Sequence, residues 1–441
     1  MRRALPLAAG VLASSLVAHL ARADGYGPSP TLPPPEQSLI PTVNIATVDR
    51  WGEGEKPQAA AGFSVERFAD GLDHPRWLYV LPNGDVLVAE TNAPPKETTG
   101  IKSFIMGQVQ KVAGAGTESA NRITLLRDSD GDGRPETRTV FLKDLFSPFG
   151  MALVGGDFYV ANADAVVRFP YEPGQTEIRA NGTKLADLPG GPINHHWTKS
   201  LVASPDGAKL YVGVGSNSNV GENGIDAEDR RAAVLEIDRE SGQAQILASG
   251  LRNPVGMDWQ PQSGQLWVAV NERDELGDDL VPDYMTAVQP GGFYGWPYSY
   301  YGQHVDERVD PPRPDLVAKA IVPDYALGSH TASLGLVFYD GEAFPQRYRG
   351  GAFIGQHGSW NRSEPVGYKV IFVPFADGRP AGEPEDILTG FLNQDGQARG
   401  RPVGVAVDAH GGLLVADDVG NVIWRVSAKG DAAAADRPAS P

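Results

Sequence analysis

Apolar residues in this chain come in short runs broken by turn formers, without the sustained 3.6-residue period of an amphipathic helix. One local pattern recurs: a loop ending in proline or a polar residue, a short apolar strand, a glycine turn and a second apolar strand. His74-Pro75-Arg76-Trp77 leads to Val86-Leu87-Val88-Ala89, and Ser147-Pro148-Phe149-Gly150 to Phe158-Tyr159-Val160-Ala161. His196-Trp197-Thr198 leads to Leu210-Tyr211-Val212-Gly213, and Arg252-Asn253-Pro254 to Leu266-Trp267-Val268-Ala269. Ser333-Leu334-Gly335 leads to Ala352-Phe353-Ile354-Gly355, and Arg401-Pro402-Val403-Gly404 to Leu413-Leu414-Val415-Ala416. Pro82-Asn83-Gly84-Asp85, Pro205-Asp206-Gly207 and Ala409-His410-Gly411-Gly412 suit the hairpins inside the copies.

Six irregularly spaced copies predict an all-β fold, a six-bladed β-propeller, over residues 61–427. A β-sandwich or a two-domain all-β protein is the competing architecture. Radial repetition matters for function because it brings loops far apart in sequence to one axial site. Residues 24–60, with Pro28, Pro30, Pro33, Pro34, Pro35 and Pro41, read as an extended N-terminal lead-in. Residues 428–441 read as a disordered tail. Residues 1–23 have the form of a secretory signal peptide: Arg2 and Arg3, an apolar stretch from Leu5 to Leu20, then Ala21-Arg22-Ala23. A retained anchor is the alternative, but Ser14, Ser15 and His19 interrupt the apolar run, which is short for a span. The expected location is periplasmic or secreted, with no membrane span in the mature chain.

Composition agrees with many tight turns. The 53 glycines and 36 prolines are about a fifth of the 441 residues, against roughly 12% in average usage. Hydrophobic residues at 41% support a large core. The net charge of −17 argues against a nucleic-acid partner. The absence of cysteine excludes disulfides, thiolate metal sites, a Cys nucleophile and Cys-x-x-Cys-His haem attachment. No Gly-x-Ser-x-Gly elbow, Walker loop, His-Glu-x-x-His or Rossmann glycine motif is present.

Against that acidic background, Arg76, Arg252, Arg399 and Arg401 lie at or near the start of the first strand of their copies. The repeat places them at one end of the axis, where guanidinium forks suit carboxylates or phosphates. Local pairing with Asp or Glu is the plainer reading of any one of them. His195 and His196 hold the same register in the third copy, and His is the usual general base near neutral pH. Asp128-Ser129-Asp130-Gly131-Asp132-Gly133 has the spacing that wraps oxygens around calcium, but the twelfth position is Thr139 where an EF-hand needs Glu. An isolated calcium loop through Asp128, Asp130 and Asp132 or an acidic turn are both open. Asn271 to Asp279 carries five acidic residues in a glycine-containing loop, compatible with a hard cation or with a solvated loop.

The chain resembles the quinoprotein sugar dehydrogenases, the soluble glucose dehydrogenase and L-sorbosone dehydrogenase family that uses pyrroloquinoline quinone (PQQ). The resemblance rests on Gly250-Leu251-Arg252-Asn253-Pro254-Val255-Gly256-Met257, the Asn271–Asp279 loop and Gly291-Gly292-Phe293-Tyr294-Gly295-Trp296-Pro297. Pro75-Arg76-Trp77-Leu78 and Gln356-His357-Gly358-Ser359-Trp360-Asn361-Arg362 resemble the sorbosone branch. It implies His196 as general base and Arg252 with Asn253 at the quinone and its calcium, Arg252 being catalytic as well. It implies Arg399 and Arg401 on the PQQ carboxylates, with Arg76, His357 and Arg362 as further cofactor contacts. Backbone carbonyls near Arg273 and Asp274 would hold the site Ca2+. The implied reaction is oxidation of a sugar or sugar aldehyde by hydride transfer to PQQ, with electrons passed to a separate acceptor, a cytochrome or quinone. Trp296, Tyr298, Tyr300 and Tyr301 are expected as a sugar-stacking wall or as packing. A calcium-dependent propeller lactonase and a non-catalytic ligand-binding propeller are the alternatives.

Overall fold

The computed structural model describes residues 25–36, 42–95 and 117–430. The segment expected to be a signal peptide and residues 431–441 of the expected tail lie outside them. All six sequence copies form blades of one six-bladed β-propeller. The innermost strands are Pro75–Val80, Met151–Val154, Leu201–Ala203, Asn253–Trp259, Ser333–Phe338 and Pro402–Val407. Each pairs antiparallel with the second apolar strand of its own copy. The innermost strands adjoin one another around a closed ring, the sixth against the first. Phe63–Ala69 closes that ring by pairing with Val422–Ala428 as the outermost strand of blade 6. The last strand thus runs through Ala428, one residue into the stretch expected as tail.

Side chains from the start of each inner strand converge in layers. Phe149, Trp197, Val255, Leu334 and Val403 form one buried cluster, with Trp77 packed against it. Every blade contributes one residue to this apolar plug. Arg76, His196, Asn253 and Arg401 precede those residues by one or two positions, so a polar layer lies next to the plug. Glycines inside the inner strands allow the blades to approach. A Cβ on Gly150 would lie 2.2 Å from the Leu201 nitrogen, and one on Gly335 would lie 2.3 Å from the Val403 oxygen.

The lead-in is not a passive linker. Tyr26–Gly27 adds a fifth strand to blade 4, and Gln58–Ala59 a fifth to blade 5. These additions cover sheet edges that would otherwise leave unpaired backbone groups. Between them the chain crosses the loops of blades 5 and 6: Asn44 N–H donates to the Trp360 carbonyl (2.8 Å), and Ala398 N–H to the Thr47 carbonyl (2.7 Å). Trp51 Nε1–H donates to Asp417 Oδ2 at 2.7 Å.

Candidate active site

Beside the apolar plug, blades 3 to 6 and the lead-in enclose a cavity of about 380 Å³. Of the residues singled out in the sequence, His196, Arg252, Asn253, Asp274, His357 and Arg401 line it, together with His195. The repeat is the reason: each lies just before an inner strand or in a loop at the same end of a blade.

His196 is fixed from one side. Its Nδ1 lies 2.9 Å from the Ser216 carbonyl and 3.0 Å from Ser216 Oγ, and its backbone N–H donates to the same carbonyl. A Nδ1–H donated to that carbonyl leaves the basic lone pair on Nε2. Gly215 makes this packing possible, because a Cβ there would stand 2.4 Å from both His196 Cβ and Asn253 Oδ1. The loop that carries His196 is clamped from behind by two buried cations. Arg231 donates to the carbonyls of Pro189, Gly190 and Gly215 and to Asn194 Oδ1. Lys199 Nζ donates to the Trp197 carbonyl (2.9 Å) and Asn194 Oδ1 (3.3 Å). Burial and then Arg231 push the Lys199 ammonium well below its usual range.

Arg252 is buried and fully engaged. It donates to the Glu272 carbonyl (2.7 Å), the Asn219 carbonyl and amide oxygen, and Asp274 Oδ2 (3.0 Å). Burial alone would raise Asp274, but Arg252, His330 and Asn361 hold its carboxyl below the usual range. Burial lifts Glu272 to about 8 and Asp283 to about 6. Among the described residues, Asn253 Oδ1 and Glu272 Oε1 are buried at the cavity without a hydrogen-bond partner.

Arg401 differs from Arg252. It is buried, makes no ion pair among the described residues, and has Nε and Nη2 unpartnered. Nearby, Asp418 gathers His357 Nε2 at 3.0 Å, His74 Nε2 at 3.5 Å and Arg76 Nη1 at 3.5 Å. Burial would raise Asp418, but His357, His74 and Arg76 hold it well below the carboxylate range. Burial lowers His74 to about 4, so its ring is neutral at pH 7, and lowers His357 as well. Arg76 does not line the cavity itself; it stands behind His357 with a buried, unpartnered Nε. An electropositive wall with vacant N–H donors fits a polycarboxylate such as PQQ. The vacant oxygens on the blade 4 side fit a hard cation.

Several expected residues lie elsewhere. Arg399 is turned to the lead-in: its guanidinium pairs with Glu55 (3.2 Å) and stacks over Trp51. Arg362 pairs with Asp279 (3.0 Å) and donates to the Asp278 carbonyl, outside the cavity. The Arg273 side chain pairs with Asp306 (2.9 Å) and does not line the cavity. The aromatic wall is also displaced: Trp296, Tyr300 and Tyr301 are buried as packing, and Tyr298 meets Arg313. Asp128, Asp130 and Asp132 form a separate exposed cluster with Glu136, their oxygens within 4.8 Å of one another. Glu136 stands three residues before the twelfth position, Thr139, where an EF-hand carries its Glu. Glu272 belongs to the acidic Asn271–Asp279 loop already noted; Ile45, Asp283, His330, Trp360 and Asp418 were unforeseen, and of these only Trp360 lay inside a noted motif.

Comparison with known proteins agrees with this fold. The family model described as Glucose / Sorbosone dehydrogenase matches residues 155–359, and one described as TrAA12-like matches residues 317–429. An uncharacterized protein of Borreliella burgdorferi is 32% identical over 294 residues, 64% of this chain and 76% of that protein. Aldose sugar dehydrogenase YliI of Escherichia coli is 33% identical over 110 residues, 24% of this chain and 28% of its own length. The holo form of the pyranose dehydrogenase PQQ domain from Coprinopsis cinerea superposes with a TM-score of 0.66. That likeness, at 20% identity over 87% of this chain and all of the other, shows the propeller fold. The first of the matched segments spans His196, Arg252 and His357, three of the residues that meet at the cavity, and the chain belongs to the glucose/sorbosone dehydrogenase family.

Proposed function

We propose that this protein oxidises a sugar or sugar aldehyde with PQQ and calcium at the axial cavity. The observation that carries the reading is the pairing of vacant guanidinium donors on Arg401 with an oriented His196 across one small cavity. Bound PQQ would supply the two-electron acceptor, and calcium the Lewis acid that polarises it. Arg401 would take a cofactor carboxylate directly, with Arg76 adding positive charge behind that wall and His357 held in place by Asp418. Asn253 and the Glu272–Asp274 stretch would face the cation. His196 Nε2 would take the proton of the hydroxyl on the carbon being oxidised, aided by the Ser216 contact that fixes its ring. Arg252, locked to Asp274, would present a fixed positive charge to the reacting centre.

The remaining parts of the reading follow from sequence. Without cysteine there is no Cys-x-x-Cys-His haem, so the electrons are proposed to leave to a separate acceptor. No helix among the described residues is long and apolar enough to cross a membrane. A periplasmic or secreted location rests on the leader-like residues 1–23. Calcium at Asp128, Asp130, Asp132 and Glu136 is proposed as structural, remote from the chemistry.

The test is reconstitution. Purified apo-protein is given PQQ and calcium, and dye reduction is followed with aldoses, sugar alcohols and sugar aldehydes. PQQ-dependent reduction is expected, with His196→Ala abolishing turnover while leaving PQQ binding largely intact. No reduction with any substrate and no spectral change of PQQ would defeat the dehydrogenase reading. Loss of PQQ binding in His196→Ala would reassign that residue to the cofactor.

A further inference from the structure

The stretch from Glu272 to Glu275 faces two ways. Glu272 and Asp274 line the axial cavity, whereas the side chains of Arg273 and Glu275 engage Asp306 and Arg308 of the same blade. Arg273 is 1% exposed, and its Nη1 lies 2.9 Å from Asp306 Oδ2, on a side chain 2% exposed. Arg308 links that carboxylate to the other flank. Its Nη1 donates to Glu275 Oε2 at 2.7 Å, and its Nε lies 4.0 Å from Asp306 Oδ1. Asp306 is thus tied to the residues on both sides of Asp274. Glu275 needs that support, because its φ of +71° lies in the left-handed region that a residue with a Cβ rarely adopts.

The segment that carries Asp306 is itself anchored. Ser299–Tyr300 pairs with His304–Val305, and Asp306 N–H donates to the Tyr298 carbonyl at 3.0 Å. Tyr300 and Tyr301 are buried in the blade 4 core, where the Tyr301 ring meets Tyr284 edge-on at 6.1 Å. A hairpin rooted in the core therefore holds the back of a loop whose front faces the proposed cation. Stability does not account for the pair, since apolar residues in place of a buried ion pair often stabilise a fold as well or better. Among the described residues Arg273 Nε and Nη2 also lack a hydrogen-bond partner, which leaves the pair incompletely satisfied. What the pair fixes is position. We propose that Asp306 is a positioning residue that sets the cation affinity of the axial cavity, acting through Arg273 and, by way of Arg308, through Glu275. This clasp rests on the reading above in placing a hard cation at the Glu272–Asp274 stretch.

The test separates position from stability in the full chain. Arg273→Met combined with Asp306→Leu removes both charges and strands neither, so the protein should fold with Tm within about 3 °C of the parent or above it. Calcium is titrated into apo-protein by calorimetry, in an Asp128→Asn/Asp130→Asn background that silences the exposed cluster. The double variant should bind calcium at least about tenfold more weakly, the usual cost of removing an outer partner of a metal site. Arg308→Gln, at a partly exposed side chain, should weaken binding by a smaller factor of about threefold. The calcium concentration that half-supports the PQQ absorbance change should rise by the same factors. A folded double variant whose calcium affinity stays within about twofold of the parent would overturn the assignment and leave the pair purely structural. If the double variant does not fold, Asp306→Asn and Arg308→Gln decide, and unchanged calcium affinity in both overturns it as well. A parent that binds calcium without any PQQ absorbance change defeats the dehydrogenase reading, while the calorimetric comparison still judges the clasp. A parent that binds no calcium overturns the clasp itself.

Discussion

Gly215→Ala puts one methyl group where the proposed base and the blade 4 asparagine meet. The new Cβ would stand 2.4 Å from His196 Cβ and 2.4 Å from Asn253 Oδ1, about 1 Å closer than ordinary contact allows. Neither neighbour is the loose end of a long side chain. His196 is tied to Ser216, and Asn253 begins an inner strand. The His196 ring or the strand must therefore move by roughly 1 Å, and a displacement of that size at a reacting group costs on the order of a hundredfold in rate. Overpacking a buried site costs about 1–3 kcal/mol of stability, so the fold should survive with a modest fall in Tm. The assay is kcat of reconstituted enzyme at saturating PQQ and sugar, alongside a thermal melt. Gly156→Ala is the control, since its Cβ would meet only the Tyr171 carbonyl at 3.8 Å. A Gly215→Ala protein that folds and keeps kcat within about threefold of the parent would refute the placement of His196 at the chemistry.

Other consequences can be measured without new structures. Lys199→Met removes a buried cation that has no carboxylate partner among the described residues, so Tm should hold or rise; kcat should fall up to about tenfold as the His196 loop loosens. A large drop in Tm with kcat unchanged would make that lysine purely structural. Asp258, buried between blades 4 and 5 and accepting from Phe338 and Trp259 N–H, is raised by burial from 3.8 to about 7. Its folded form keeps a proton that the unfolded chain loses, so stability should fall as pH rises from about 4 to 7 and level off above. Asp258→Asn should remove about 2–3 kcal/mol of that dependence in denaturant titrations at pH 5 and 8. An unchanged pH profile would contradict it.

The blades were legible because turn chemistry and apolar strands alternate six times, and the copies read from sequence are the blades observed. The same repeat brought His196, Arg252, Asn253, His357 and Arg401 to one cavity. It failed for Arg399, which the repeat placed with Arg401 at one end of the axis. The inner strand begins only at Pro402, and Glu55 of the lead-in draws Arg399 away. The lead-in's part in the site was not legible, because Ile45 reaches the cavity through folding and not through any local pattern. Asp418 was missed for a similar reason. It directly follows strand residue Asp417, and only the assembled propeller sets one carboxylate against Trp51 and Trp424 and the other against two histidines and Arg76. The aromatics near Trp296 satisfied the composition of a sugar wall but are consumed by packing inside blade 4.

The central claim is that vacant arginine donors at the propeller axis hold a polycarboxylate cofactor. Titrating PQQ into calcium-loaded apo-protein, with binding read by the change in PQQ absorbance, tests it most directly. The parent should bind one PQQ per chain. Arg401→Met should bind at least about thirtyfold more weakly, as expected for loss of a buried charge-assisted contact, while Arg399→Met stays within about threefold. Absence of saturable binding in the parent, or an Arg401→Met protein that binds as tightly as the parent, would contradict the account.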